Sequence, residues 1–276
     1  MADAIHDYIR SQQKDDPNYK RTMGHFRSSE MGFCERQIIA TFNIPEEYDA
    51  TRAGYNVTGN VVEDFVRKVI ESKAKDLELD YIIPQHNIIW NIDWEEGTEV
   101  RGKADFLMLL KDKAGTQKHL VEVKSARSIE HIKEPMKHHR IQVMPYILEI
   151  QPTTTSIVYI DKNNLNNVKE FFVEFDDMIM GYIHEKAKRL HGFQMRGETP
   201  FAEAKYCPKC RSGKLKVDHT ARPKTATCQP PGCGQTMKLD DTDLWQCGYC
   251  GVKDWCDKLE RLKEKELVQI EQPAKN

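Results

Sequence analysis

The chain has 276 residues, 30% of them charged and 39% hydrophobic, which suits a soluble globular protein with one sizeable domain and room for a smaller appendage. Its formal net charge of −2 excludes a polyanion-binding role written in the global charge, so any such role needs local basic patches. No apolar run approaches the roughly 20 residues of a membrane helix, and "MADAIHDYIRSQQKDD" has no hydrophobic signal segment, so a cytoplasmic protein with no membrane partner is expected.

In chain order, residues 1–14 are expected to form a helix through Ile5, Tyr8 and Ile9. In "HFRSSEMGFCERQIIATFNI", Ser28 or Ser29 is expected to cap a helix carrying Met31, Cys34, Ile38 and Phe42. Val62, Phe65, Val66, Val69 and Ile70 recur at helical spacing and predict a helix over 59–77. Strands follow at 81–92 and 98–111, joined by the turn-like "DWEEGT", and a third at 119–125. Residues 129–150 suit a helix in which Pro135 and Pro145 predict breaks or a late start. Strands at 154–161 and 168–175 flank "DKNNLNN", and a helix over 176–193 closes the core. From 197 onward glycine, proline, lysine and cysteine dominate until a charged helix near 254–270. The order implies an α/β layer fold with a mixed sheet covered by helices. The boundaries are an N-terminal extension at 1–21, a core at 22–196, a Cys-rich insertion at 197–243 and a C-terminal segment at 244–276.

The strand in "HLVEVKSA" poses the chemical question. Glu122 and Lys124 share a face with Leu120, while Val121 and Val123 face the other way. A solvated edge strand would explain these eight residues alone. Asp105, in "RGKADFLML", sits at the centre of the preceding strand, where an unpaired buried carboxylate is costly. Adjacent strands can bring Asp105 and Glu122 to one hard cation such as Mg²⁺. Lys124 would stand beside it to orient a water or to stabilise charge developing on a phosphate.

Asp105 followed by Glu122-Val123-Lys124 resembles the signature of the PD-(D/E)XK nuclease superfamily. "QVMPY" places Gln142 and Tyr146 in the Q-x-x-x-Y pattern that RecB-type members carry on the helix after the catalytic strands. Gly59 and Glu63 match the preceding G-x-x-x-E/H element, with Glu63 where many members have His, a variant metal shell. The resemblance implies a restriction-endonuclease-like core in which Glu63, Asp105, Glu122 and the Val123 carbonyl bind Mg²⁺ or Mn²⁺. Lys124 would position the attacking water, and Gln142 and Tyr146 the strand. The implied activity is a metal-dependent exonuclease acting on single-stranded or end-bearing DNA. A different class of function is a non-catalytic end-binding factor in a recombination or spacer-acquisition assembly. Intact Asp105, Glu122 and Lys124 favour the enzyme, because a scaffold alone does not require them.

All but one of the cysteines lie between 207 and 256, a distribution that in a reducing compartment suggests metal ligands rather than disulfides. "CGYCGVKDWC" gives Cys247, Cys250 and Cys256, one thiolate short of the four an iron–sulfur cluster takes. Cys34 alone would pass for a small buried hydrophobe. With its three distant partners it is similar to RecB-type nucleases carrying an iron–sulfur staple, the CRISPR-associated Cas-four nucleases among them. That implies a 4Fe–4S cluster on Cys34, Cys247, Cys250 and Cys256. Cys207 and Cys210 in "CPKC", with Cys228 and Cys233 in "CQPPGC", make two close pairs suited to one tetrahedral zinc, a zinc-ribbon-like insertion relative to the family pattern. A competing partition pairs Cys207 and Cys210 with Cys247 and Cys250 and leaves Cys34, Cys228, Cys233 and Cys256 without a pattern. Lys205, Lys209, Arg211, Lys214, Lys216, Arg222 and Lys224 stand against Asp218 alone, and Lys133, Lys137, His138, His139 and Arg140 form a second basic stretch. DNA phosphates are the expected partners of Lys133, Lys137, His139, Arg140, Lys214 and Lys216.

Overall fold

The computed structural model describes residues 21–43, 50–112, 115–222, 224–248 and 250–270, so the helix expected at 1–14 lies outside the described residues. The described chain divides into two compact units, 21–32 with 50–192 and 33–43 with 193–270. This division takes residues 33–43 into the unit that holds both Cys-rich segments, whereas the sequence boundaries follow composition. Among the described residues no helix is long and apolar enough to cross a membrane.

The first unit opens with strand β1 (His25–Arg27). After the segment bearing α1 (Glu35–Asn43), which belongs to the second unit, it resumes at helix α2 (Ala50–Ser72). Strands β2 (Leu79–Asp93), β3 (Thr98–Asp112) and β4 (Gly115–Ala126) follow, then helix α3 (Lys137–Ile150). Strands β5 (Thr154–Asp161) and β6 (Val168–Phe172) and helix α4 (Asp177–Arg196) complete it. The sheet is mixed: β2–β3, β3–β4 and β5–β6 pair antiparallel, β1–β3 and β4–β5 parallel.

The arrangement along β3 creates the site. β2 occupies one edge of β3. The other edge is shared: β4 pairs along it from Asp112↔Gly115 to Phe106↔Val121, and β1 from His25↔Glu99 to Arg27↔Arg101. Residues 102–105 of that edge pair with neither strand, so the sheet splays open there.

Helix α2 presents Val62, Val66 and Ile70 at helical spacing and buries them against Phe106, Met108, Val121, Val123 and Ile160. Because strand side chains alternate, Leu120, Glu122 and Lys124 point away from that core, toward α3. Helix α3 is buried at every position from Ile141 to Tyr146, as expected of a helix that is covered all round. It starts late, after Pro135, and keeps Pro145 inside it. Helix α4 buries Met180, Ile183, Ala187 and Leu190, one stripe at 3–4 residue spacing.

Some boundaries differ from the sequence reading. The expected helix around 28–42 is a single 3₁₀ turn at Ser28–Glu30 followed by α1 from Glu35. Ser28 does not cap it, because its hydroxyl donates to the Gln142 carbonyl at 2.5 Å. The last core strand stops at Phe172, and α2 starts earlier and ends at Ser72. In the second unit, β7 (Leu215–Asp218), β8 (Thr225–Cys228) and β9 (Thr236–Lys238) form a small antiparallel sheet, followed by helix α5 (Lys253–Ile270).

Candidate active site and cysteine centres

Asp105 stands where the β3–β4 ladder ends. Its Oδ2 accepts the Val123 N–H at 2.8 Å, in place of the β3 carbonyl that a continued ladder would supply. A strand residue sends its N–H and C=O to the same edge, so the Val123 carbonyl also faces the gap. Glu122 is 1% exposed. Its Oε1 accepts Lys124 Nζ at 2.6 Å and Gln142 Nε2 at 2.6 Å, while its Oε2 is buried with no hydrogen-bond partner. Lys124 Nζ also donates to Gln142 Oε1 at 2.9 Å, which closes a three-residue ring of hydrogen bonds. Gln142 Nε2 reaches the Tyr146 hydroxyl at 3.3 Å.

The charges respond to this crowding. Burial pushes the Asp105 carboxyl well above its ordinary range, and the neighbouring Glu122 charge adds to the push. Burial alone would lower the Lys124 ammonium, but Glu122, Asp105 and Glu63 outweigh it and hold its pKa above the usual value. Burial drives the Tyr146 phenol up, so it stays a neutral hydroxyl. Glu63, on α2, bonds to Gln85 of β2; burial raises its carboxyl, helped by Glu122 and opposed by Gln85 and Lys124. The structure brings Glu63, Asp105, Glu122, Lys124, Gln142 and Tyr146 into one neighbourhood. The carboxylate oxygens of Glu63, Asp105 and Glu122 do not all converge within 4.8 Å, and among the described residues only a cysteine group does so.

Three further residues shape the site. Gly102 lies in the unpaired stretch of β3, where a Cβ would come 2.5 Å from Tyr146 Cε1 and 2.7 Å from its hydroxyl. Ser28 fixes α3 through the Gln142 carbonyl. Gln85, on β2 between the partners of Phe106 and Ala104, takes a left-handed backbone (φ 52°) to hold Glu63. Only Gln85 left a sequence signal, the strand-interior Pro84 before it, which marks a local irregularity.

Of the basic residues near α3, Lys133 and Lys137 are exposed. His139 is not a free cation: Nδ1 shares a 2.8 Å hydrogen bond with the Tyr159 hydroxyl, and burial, with Lys124 and His138 nearby, keeps the ring neutral. Arg140 pairs with Asp176 at 3.3 Å. In the second unit Lys216 is exposed, while Lys214 lies 3.4 Å from Glu260.

The cysteines fall into two groups. The sulfurs of Cys207, Cys210, Cys228 and Cys233 all lie within 4.8 Å of one another, a set that can hold one metal ion. Gly213 and Gly232 press against Cys228 Sγ, where a Cβ on either would come within 2.3 Å. Hydrogen bonds from Ser212 and nearby backbone N–H groups pull the Cys210 thiol down to about 5, toward the thiolate a metal needs. Cys34, Cys247, Cys250 and Cys256 instead line one pocket together. Burial pushes the Cys247 thiol up to about 12, and the nearby sulfurs of Cys34, Cys250 and Cys256 add to the rise. The geometry therefore groups Cys207 and Cys210 with Cys228 and Cys233, apart from Cys247 and Cys250.

No protein-family model matches the sequence, and no curated protein sequence matches it. Among solved structures, that of SSO0001 matches with a TM-score of 0.52 at 14% identity, over 75% of this chain and 93% of that one, a likeness of fold. The alkaline exonuclease LHK-Exo of Laribacter hongkongensis, in complex with dAMP, gives a TM-score of 0.44 at 14% identity, over 63% of this chain and 90% of that one. A phage-related exonuclease from Haemophilus somnus 129PT gives 0.42 at 10%, over 63% of this chain and 96% of that one.

Proposed function

We propose that the chain is a divalent-metal-dependent deoxyribonuclease of the RecB and Cas-four type, an exonuclease on single-stranded or end-bearing DNA in recombination, repair or CRISPR-related processing. The observation that carries this is Glu122 Oε2, a buried carboxylate oxygen with no partner beside an Asp105 whose carboxyl is crowded upward. An orphaned buried acceptor costs about 1–3 kcal/mol, and a cation at that oxygen removes the cost. The donor set is all oxygen, which suits Mg²⁺ or Mn²⁺. Asp105, Glu122 and the Val123 carbonyl would hold the ion, with Glu63 completing the shell. When bound, the ion supplies Lewis acidity toward a phosphoryl oxygen and eases ionisation of water.

The chain's own residues do the rest. Lys124, held as a cation by Glu122, presents Nζ to water and to negative charge developing on phosphate. Gln142 ties Glu122 to Lys124 through Glu122 Oε1 and leaves Glu122 Oε2 uncommitted, while the Tyr146 hydroxyl fixes the Gln142 amide. Lys133, Lys137 and Lys216 supply phosphate contacts; His139 and Arg140 brace α3. Zinc on Cys207, Cys210, Cys228 and Cys233, and a 4Fe–4S cluster on Cys34, Cys247, Cys250 and Cys256, stabilise the second unit. The test is cleavage of end-labelled single-stranded DNA with Mn²⁺. Glu122→Gln is expected to lose at least about 100-fold in rate while still retarding DNA in a gel. Mn²⁺-dependent cleavage at the wild-type rate by this variant would remove Glu122 from the chemistry.

A further inference from the structure

We propose that Arg36 and Lys205 are positioning residues that set the reduction equilibrium of the cluster assigned above, by directing positive charge at the Cys256 sulfur. The inference rests on the cluster reading of the Cys34 cavity.

Arg36 stands two residues after Cys34, and its side chain is only 2% exposed. A buried guanidinium must spend its N–H groups on acceptors. Nε donates to the Pro200 carbonyl at 2.7 Å, and Nη1 donates to Glu260 Oε1 at 2.5 Å and to Cys256 Sγ at 3.5 Å. Lys205 adds a second positive charge: Nζ bonds to Asp257 Oδ1 at 2.5 Å and lies near enough to the Cys256 sulfur to attract it electrostatically. Both cations line the cavity with the four thiols.

The anchoring carboxylates come from one helix turn. Cys256, Asp257 and Glu260 occupy positions i, i+1 and i+4 of α5, so sulfur and carboxylates travel together. Each cation is anchored by a carboxylate of that turn, and Arg36 shares one nitrogen between its carboxylate and the sulfur. A buried ion pair serving structure alone would explain Arg36 with Glu260. It does not explain a second, independently anchored cation in the same cavity lining, near the same sulfur. Hydrogen bonds to ligand sulfurs and net charge are among the factors that set cluster potentials. A cluster that takes up one electron gains negative charge, and cations at its ligand sulfur favour that reduced form.

The experiment uses the full chain, reconstituted anaerobically with iron and sulfide. Iron content is measured first, then the cluster is titrated with dithionite and followed by visible absorbance. Arg36→Met is expected to shift the one-electron equilibrium toward the oxidised form by at least tenfold, a fall of 59 mV in midpoint. Arg36→Lys should recover most of that shift, and Lys205→Met should move the midpoint the same way by a smaller factor. If Arg36→Met does not fold because Glu260 loses its partner, Lys205→Met decides alone, since the Lys205 side chain is 16% exposed and its loss is tolerable. Variants that keep their iron with an unmoved midpoint overturn the proposal and leave the cluster reading intact. A wild-type protein that takes up no iron overturns the cluster reading, and the proposal with it.

Discussion

Gly102→Ala probes the gap in β3 directly. The added Cβ would sit 2.5 Å from Tyr146 Cε1 and 2.7 Å from its hydroxyl, against an optimum of about 3.5–4.0 Å. The ring would have to retreat by about 1 Å. Tyr146 is 1% exposed and bonded to Gln142, so it has no free space to enter. Overpacking of this kind costs about 1–3 kcal/mol, offset by about 0.4–1 kcal/mol from the stiffer unfolded chain. A net loss of about 1–2 kcal/mol corresponds to a fall in Tm of roughly 2–8 °C for a unit of this size. Turnover should fall too, since a displaced hydroxyl releases the Gln142 amide. The assay is thermal unfolding of Gly102→Ala in the wild-type and Tyr146→Ala backgrounds. In the second background the ring is gone, and the substitution should cost little. An equal fall in Tm in both backgrounds would show that Tyr146 does not fill the gap and would refute the reasoning.

In EDTA, Asp105 makes stability depend on pH in a sense opposite to most carboxylates. Its folded-state pKa lies above the ordinary 3.8, so the folded form holds the proton longer and stability falls as pH rises from that value through the raised one. Asp105→Asn should flatten this slope, raise the metal-free Tm at pH 7 and abolish cleavage; an unchanged slope in a pH series of melts would contradict the burial argument. Elemental analysis separates the cysteine centres. Cys228→Ser should release zinc and keep iron, Cys34→Ser the reverse, and retention of zinc by Cys228→Ser would restore the ribbon that pairs Cys207 and Cys210 with Cys247 and Cys250.

Much of this was legible in the sequence because it is periodic or chemically conspicuous. Val62, Val66 and Ile70 announce α2 by spacing, and the strands bearing Asp105 and Glu122 fall within a few residues of their expected bounds. A carboxylate in an apolar strand stands out because burial penalises it, so the Asp105, Glu122 and Lys124 constellation shows through. Ser28 and Gly102 were not legible, because each acts through a residue far along the chain: Ser28 on Gln142, Gly102 on Tyr146. Ser28 looked like a helix cap because serine hydroxyls compete for any nearby backbone group, and local sequence does not say which one wins. Strand β1 is three residues long, too short to carry an alternating pattern, and is defined only by its pairing with β3. Arg36 carried no sequence signal, because the Glu260 that pairs with it lies 224 residues away.

The second unit takes its pieces from both sides of the first, and this sets a timetable for synthesis. Arg36 and Cys256 are 220 residues apart, an interval that a ribosome covers in roughly 10–45 s at about 5–20 residues per second. The first unit, made in between, can fold during that wait. Helix α1 cannot complete its packing: Ile38, Ile39 and Ala40, buried in the finished protein, must remain without the C-terminal half of their unit until it emerges. Cys34 waits with them as a lone thiol, open to oxidation or to stray metal. The cavity it lines therefore exists only once Cys247, Cys250 and Cys256 have been made, and whatever fills that cavity must arrive after them rather than when Cys34 first emerges.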